Sequence, residues 1–159
     1  MVLDEAGLTA WGERVGREAA APLVLALRGD LGAGKSTLAR AIARGAGVRG
    51  ASPSPTYSLV LHYETPRGVR LAHLDLYRLN DPDEVWELGW AELPGEGEIV
   101  LIEWPSRAES LLPEPRWEIL LEESDDPDRR QVSVAAVGSP GELPWPPAVA
   151  SANPGGSGR

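Results

Sequence analysis

The sequence predicts an α/β fold, in which strands and helices alternate along the chain. Residues 23–27 form an uninterrupted apolar run, and a glycine-rich turn and a helix-forming stretch follow it directly. A second apolar run covers residues 99–102. Short apolar runs that end at turn residues are typical of strands buried on both faces of a sheet. Helices must then cover the sheet, as they do in layered α/β proteins.

The composition predicts a single domain without a membrane segment. A chain of 159 residues is long enough to bury a substantial core. It contains no cysteine, which excludes disulfides and thiolate metal sites. No apolar run reaches the roughly 18 residues of a membrane span, and the first residues lack a secretory pattern, so we expect a cytoplasmic protein. The net charge of −9 argues against a broad nucleic-acid-binding surface and leaves room only for a local arginine patch.

The first predicted element is a helix over residues 4–18. Leu8, Trp11 and Val15 recur at spacings of three and four, which is the pattern of an amphipathic helix. The glycines in this stretch weaken the prediction because glycine has a low helix propensity. The strand of residues 23–27 comes next.

The turn after this strand carries the most informative motif. Residues 29–36 match G-x-x-x-x-G-K-[ST], the P-loop. Its glycines let successive N–H groups point into one concavity, and the start of the next helix adds unpaired N–H groups. Lys35 can reach the β and γ phosphates of a nucleotide, and Ser36 can place a hydroxyl on Mg²⁺. The predicted nucleotide-binding residues are Gly29, Asp30, Leu31, Gly32, Ala33, Gly34, Lys35, Ser36 and Thr37.

Two features favour a phosphate site over a chance match on a glycine-rich surface turn. The motif lies between a strand and a helix, which is the context that it requires. The helix is predicted over residues 37–46, with Leu38 and Ile42 on one face. Lys35 is also the only lysine of the chain, in which every other basic side chain is arginine.

The middle of the chain predicts an extended loop, a hairpin and a helix start. Two prolines within residues 52–57 exclude a helix there. Residues 58–64 and 69–77 predict two strands joined by a Thr-Pro-Arg-Gly turn. Asp81 fits the N-cap of a following helix, and Pro82 fits its first position.

The C-terminal third predicts a short helix, a second hairpin and a tail. The helix covers residues 106–112, and alternating apolar residues over 117–121 and 131–137 indicate two antiparallel strands. From residue 139 onward the chain is rich in Pro, Gly and Ser and shows no periodicity. We therefore expect a folded domain over 1–138 and a disordered tail over 139–159.

Two acidic side chains are candidates for the chemistry. Glu103 follows the apolar run 99–102 directly, and ligands of open α/β sheets bind outside the carboxyl ends of the strands. It is a candidate for holding Mg²⁺ directly or through water, and the alternative is an ordinary strand-end carboxylate. Asp75 lies among apolar neighbours on the same strand face as His73. His73 is either a metal ligand or a hydrogen-bonded structural histidine.

Thr56 is a candidate switch residue. In P-loop NTPases a loop hydroxyl after the first helix often senses the γ-phosphate and its Mg²⁺. A plain turn into the next strand is the alternative, which the local sequence alone favours.

Several motifs in order resemble the bacterial TsaE (YjeE) family, the ATPase of tRNA threonylcarbamoyladenosine biosynthesis. The motifs are GDLGAGKST at 29–37, SPTYSLV at 54–60, HLDLYRL at 73–79, ELGW at 87–90 and IEWP at 102–105. The resemblance covers approximately residues 4–138. It implies a P-loop NTPase-like three-layer fold with a mixed parallel and antiparallel sheet, in which an initial strand is reduced to Val2-Leu3.

The resemblance also implies partners and cofactors. The chain would bind ATP and Mg²⁺ and would support a complex of TsaB and TsaD. That complex transfers a threonylcarbamoyl group to an adenosine beside the tRNA anticodon. Contact with tRNA would occur only through the complex, and ATP hydrolysis would be weak in the absence of the partners.

Roles for individual residues follow from the matching positions. Lys35 and the loop glycines match the phosphate-binding loop of the family. Ser36 and Glu103 match its metal-binding residues, and Trp104 matches the tryptophan that follows the glutamate. Asp75 would orient water or bridge to the metal, and the division of work between the two carboxylates stays open. Thr56 would couple the γ-phosphate state to a loop that a partner contacts. A stabilising arginine is either Arg78 or a group from a partner.

Two other functions fit parts of the sequence. A small-molecule kinase would need an arginine-rich lid, for which the charged loop 125–130 is the only faint candidate. A nucleotide-dependent assembly module would use Trp86, Trp90 and the loop around Thr56 as a binding surface, with little hydrolysis. A GTPase is disfavoured because the chain has no N-K-x-D motif.

Overall fold

In the computed structural model, which describes residues 1–50 and 59–144, one sheet organises the chain. Its strands are β1 (Val2–Asp4), β2 (Leu23–Arg28), β3 (Val60–Glu64), β4 (Arg70–Asp75), β5 (Glu98–Glu103), β6 (Arg116–Glu123) and β7 (Arg129–Val137). The two α-helices are α1 (Glu5–Glu18) and α2 (Lys35–Gly45). Three 3₁₀ segments cover Pro82–Leu88, Trp90–Glu92 and Pro105–Leu111.

The sheet is mixed, as the resemblance implies. Its strand order is β1-β7-β6-β2-β5-β4-β3. The four central strands β6, β2, β5 and β4 run parallel, and β3 and β7 pair antiparallel at the two sides. The expected initial strand at Val2-Leu3 is present as β1, which pairs with β7. Because β2, β4 and β5 are parallel neighbours, their carboxyl ends meet at one edge of the sheet.

Each face of the sheet is covered by a different kind of element, which gives the expected three layers. Helices α1 and α2 cover one face with a cluster that includes Trp11, Leu38 and Ile42. The 3₁₀ segments cover the other face, where Val85 and Trp90 pack against the sheet. Every residue of β5 is buried, which confirms that its apolar run is a strand enclosed on both faces.

The two α-helices cross in contact at their glycines. A Cβ atom at Gly16 would lie 1.9 Å from the carbonyl oxygen of Ile42, and one at Gly45 would lie 2.0 Å from that of Glu13. Gly16, which lowers the helix propensity of α1, is thus needed where the backbone of α1 approaches α2. This contact holds the C-terminal half of α2 against α1.

The helix that begins after Asp81 is a 3₁₀ helix and not a regular α-helix. Asp81 does cap it, since its side chain accepts a hydrogen bond of 2.9 Å from the backbone N–H of Asp83. The segment is a 3₁₀ helix that ends at Gly89, whose φ of 77° terminates it after two turns. Of its two neighbouring tryptophans, Trp90 is buried in the core and Trp86 is 51% exposed.

Residues 139–144, at the start of the predicted tail, contact two tryptophans. The indole N–H of Trp11 donates a hydrogen bond of 2.6 Å to the carbonyl of Pro144. That of Trp117 donates one of 2.8 Å to the carbonyl of Gly141. Residues 145–159 lie outside the described part of the chain, so disorder there stays a prediction. Within the described ranges, no helix is long and apolar enough to cross a membrane.

We predict that Gly16→Ala destabilises the domain. The added methyl group would collide with backbone rather than with a flexible side chain, so α1 and α2 must separate. Overpacking costs about 1–3 kcal/mol, and a clash of 1.9 Å with backbone belongs to the upper part of that range, above the gain of roughly 1 kcal/mol in helix propensity. Urea unfolding measures the difference. Gly141→Ala, where a Cβ meets nothing within 4 Å, is the control. A Gly16→Ala protein as stable as the wild type would contradict the close helix contact.

Candidate functional site

The P-loop turns from β2 into α2 with left-handed backbone at its glycines. Gly29 has a φ of 146°, and a Cβ there would lie 2.5 Å from the carbonyl oxygen of Leu121. Gly34 has a φ of 108° and is the N-cap of α2. The N–H groups of the first turn of α2 therefore point out of the helix end toward the edge of the sheet. Glycine is required at both positions for the turn to close in this space.

Lys35 is buried and held over the loop. The residue is 4% exposed, and its ammonium group donates to the carbonyl oxygens of Gly29 at 2.6 Å and Asp30 at 2.8 Å. The same group lies 4.2 Å from the ring centre of Trp104. Burial lowers the pKa of Lys35, and the negative charges of Glu103, Asp75 and Asp30 act in the opposite direction. The ammonium group is thus placed by acceptors on the loop and by an aromatic face.

Glu103, at the end of β5, is buried between two donors. Its side chain is 2% exposed. One oxygen, Oε1, accepts a hydrogen bond of 2.8 Å from the hydroxyl of Ser36 on α2. The other, Oε2, lies 2.6 Å from Nε2 of His73 on β4. Burial alone would raise the pKa of Glu103, but the hydrogen bonds from His73 and Ser36 and the charge of Lys35 lower it below its ordinary value.

Asp75 lies beside Glu103 because β4 and β5 are parallel and in register. The two residues are direct partners across the strands. The carboxylate of Asp75 accepts a hydrogen bond of 3.0 Å from the backbone N–H of Tyr77, which fixes the turn after β4. Both acidic candidates therefore stand at the same edge of the sheet, next to the first turn of α2.

The rings of Trp104 and Tyr77 pack against each other beside Lys35, a contact that the sequence patterns do not predict. Trp104 has φ 56° and ψ 49°, a left-handed conformation that is uncommon for a side chain of this size. This turn takes the ring out of the strand direction and over Lys35. The ring centre of Tyr77 lies 4.9 Å from that of Trp104. The IEWP sequence marks the position, but no local pattern indicates the backbone conformation.

A cavity of about 230 Å³ brings most of the predicted site residues together. Its lining includes the loop and helix residues Leu31, Gly32, Gly34, Lys35, Ser36 and Thr37 and the strand-end residues Asp75, Tyr77, Glu103 and Trp104. The predicted nucleotide-binding residues Gly29, Asp30 and Ala33 instead line a second hollow, of about 320 Å³, on the other side of the loop. Thr56 lies outside the described residues.

The groups at this cavity fit a phosphate with a divalent cation. Backbone N–H groups at a helix start and a buried ammonium group suit phosphate oxygens. A hydroxyl and two carboxylates supply the oxygen ligands that Mg²⁺ prefers, and Mg²⁺ commonly uses one or two carboxylates together with phosphate oxygens.

Comparison with known proteins identifies the family. A family model described as "Threonylcarbamoyl adenosine biosynthesis protein TsaE" matches residues 2–132. The chain belongs to the TsaE family. Its members in this comparison carry the name "tRNA threonylcarbamoyladenosine biosynthesis protein TsaE". The family expected from the five motifs is thereby confirmed.

The relatives differ in the share of this chain that their sequences cover. The Bacillus subtilis protein is 38% identical over 122 residues, which cover 76% of this chain and 73% of that protein. The Haemophilus influenzae protein is 44% identical over 92 residues, and the match spans 58% of each chain. The crystal structure of Bacillus subtilis YdiB matches with a TM-score of 0.67 and 29% identity, over 87% of this chain and 84% of that one.

We predict that Glu103→Gln reduces the acid sensitivity of the fold. The folded-state pKa of Glu103 is below its ordinary 4.5, so its carboxylate contributes stability above that pH and loses the contribution as the pH falls through the folded-state value. The Gln variant lacks this contribution, so below pH 4.5 its free energy of unfolding falls less steeply, by up to about 1.4 kcal/mol per pH unit. Urea unfolding between pH 6 and 3 measures both slopes. Glu122→Gln, at an exposed position, controls for the lost charge. Parallel curves for wild type and Glu103→Gln would show that Glu103 is not held as an ionised carboxylate.

Proposed function

We propose that this member of the TsaE family binds and hydrolyses ATP with Mg²⁺ in tRNA threonylcarbamoyladenosine biosynthesis. One observation carries the proposal. Lys35 and Ser36 begin a helix directly beside Glu103 and Asp75, which end two neighbouring parallel strands. This arrangement provides phosphate donors and metal-side oxygens within one cavity.

Each of these residues has a role that its surroundings support. The N–H groups at the start of α2 and the ammonium group of Lys35 would bind phosphate oxygens. To do so, the ammonium group would exchange the carbonyls of Gly29 and Asp30 for the phosphate. The hydroxyl of Ser36 and the carboxylate of Glu103 would hold the metal. Bound Mg²⁺ supplies positive charge that offsets the charge of the phosphates.

Asp75 is the candidate for orienting the attacking water. Asp75 is the direct partner of Glu103 across the strand pair, and its carboxylate accepts a hydrogen bond from the Tyr77 N–H. Phosphoryl transfer to water depends mainly on alignment and charge stabilisation, so a hydrogen-bonded carboxylate close to the metal side suits this role. Thr56 would couple the γ-phosphate state to the loop that a partner contacts.

The partners of the proposed activity are TsaB and TsaD, with tRNA bound only through that complex. The names of the TsaE relatives, which refer to tRNA threonylcarbamoyladenosine biosynthesis, support a role in that pathway, and the two partners are those that the family resemblance implies. Among residues 1–50 and 59–144, Lys35 is the only cationic residue that lines the cavity. Phosphoryl transfer generally gains much of its rate from a second cation such as an arginine. A partner group, or Arg78 once a partner orders it, would supply that cation, so turnover by the chain alone should be slow.

We predict that Lys35→Ala weakens the binding of ADP about tenfold to a hundredfold, because it removes a charge-assisted hydrogen bond to phosphate. Calorimetric titration with ADP and Mg²⁺ measures the affinity. Arg44→Ala is a matched control, since it removes one positive charge from the same helix about 14 Å further along. Wild-type affinity in Lys35→Ala would exclude this loop as the phosphate site.

We predict that Asp75→Asn and Glu103→Gln each reduce ATP hydrolysis while leaving nucleotide binding nearly unchanged. Both variants keep the size of the side chain and remove its charge. Nucleotide affinity should stay within about threefold, since the main phosphate donors remain. Phosphate release should fall about a hundredfold, the usual effect of losing one preorganised electrostatic group. Glu92→Gln, at an exposed position, is the control. Unchanged turnover in both variants would remove the two carboxylates from the mechanism.

A further inference from the structure

His73 is a buried histidine whose contact with Glu103 the proposed roles leave unexplained. Its side chain is 5% exposed, and Nε2 lies 2.6 Å from Oε2 of Glu103. It stands two residues before Asp75 on β4, so it faces the same side of the sheet and reaches Glu103 diagonally across the strand pair. The sequence patterns left its role open between a metal ligand and a structural histidine.

The direction of this hydrogen bond follows from its acceptor. The other oxygen of Glu103 accepts from the hydroxyl of Ser36. A carboxylate only accepts hydrogen bonds, so Nε2 of His73 carries the proton and donates it. Nε2 is then not available to a metal, and His73 is not among the residues that line the cavity, so the structure does not support it as a direct ligand.

The two bonds together fix the plane of the Glu103 carboxylate. The last torsion of a glutamate side chain is broad, so a bond at Oε1 alone sets the carboxylate plane only loosely. The second bond, between Oε2 and His73, restrains that plane further. Oε1 is then held where it accepts the hydrogen bond from the Ser36 hydroxyl. A hydroxyl that donates a hydrogen bond in one direction presents the lone pairs of its oxygen in other directions. In Ser36 those lone pairs can face the cavity.

We propose that His73 is a positioning residue, which holds the Glu103 carboxylate so that Ser36 presents its hydroxyl oxygen to the divalent cation. This inference rests on the proposed function, since it assigns the residue that orients the metal side of the same site. Hydrogen-bond partners behind metal-side groups commonly change metal affinity about tenfold to a hundredfold when they are removed. A histidine that only fills space would instead affect stability without a selective effect on the metal.

The test compares three substitutions of His73. His73→Leu removes the donor. His73→Gln can place its amide N–H near the position of Nε2, and His73→Asn keeps a polar group that is too short to reach Oε2. His62→Leu is the matched control, because His62 is the only other histidine and is exposed on β3. Two affinities are measured for each protein by calorimetry: that of Mg²⁺ for the ADP-bound protein, and that of ADP in EDTA.

The expected result is selective for the metal. His73→Leu and His73→Asn should bind Mg²⁺ about tenfold more weakly or worse, with metal-free ADP affinity within about twofold of wild type. His73→Gln should recover most of the Mg²⁺ affinity, and His62→Leu should match wild type. Unchanged Mg²⁺ affinity in His73→Asn, equal losses of both affinities, or no recovery in a folded His73→Gln protein would each overturn the inference. The Gln and Asn pair decides the question if His73→Leu does not fold.

A spectroscopic measurement tests the direction of the bond without any ligand. The chain has two histidines, so ¹⁵N spectra of its imidazole groups resolve each one. His73 should show Nε2 protonated in the wild type, and an unprotonated Nε2 would overturn the assignment. Failure of wild-type protein to bind ADP with Mg²⁺ would instead contradict the proposed function, so the two failures are distinguishable.

Discussion

The carboxylate of Glu103 is the point on which the site depends. It joins three separate elements, because its two oxygens accept hydrogen bonds from Ser36 on α2 and from His73 on β4, while Glu103 itself ends β5. A buried carboxylate is costly unless donors compensate it. The two donors and the nearby charge of Lys35 supply that compensation, and the same contacts set the distance between the helix start and the strand ends.

The packing of the two helices supports this arrangement toward the other end of α2. Gly16 and Gly45 allow the backbones of α1 and α2 to touch, so α2 cannot shift outward from the sheet without losing that contact. Glycine at these positions lowers the intrinsic helix propensity, but it allows the two helix backbones to pack closely. Helix α2 is therefore held at its start by the bond from Ser36 to Glu103 and further along by its contact with α1, which suits a site whose donors must converge on a phosphate.

Sequence reasoning predicted the features that depend on neighbours along the chain. The strand, glycine loop and helix around Lys35, the buried run that ends at Glu103, and the family follow from local patterns and motifs. The contact between His73 and Glu103 did not, because it depends on the register of two strands that are 30 residues apart. The left-handed backbone of Trp104 is not predictable from the sequence either, because no local pattern encodes it. It accompanies the tertiary contacts of the Trp104 ring with Lys35 and Tyr77.

ATP hydrolysis at this site, in support of a tRNA-modifying complex, is the activity that we propose. The most direct measurement is the rate of phosphate release by the wild-type chain alone, with TsaB alone, with TsaD alone and with both. We predict slow turnover alone and an increase of about tenfold or more with both partners, equivalent to about 1.4 kcal/mol of barrier. A rate that stays at background in every mixture, while ADP still binds, would contradict the claim.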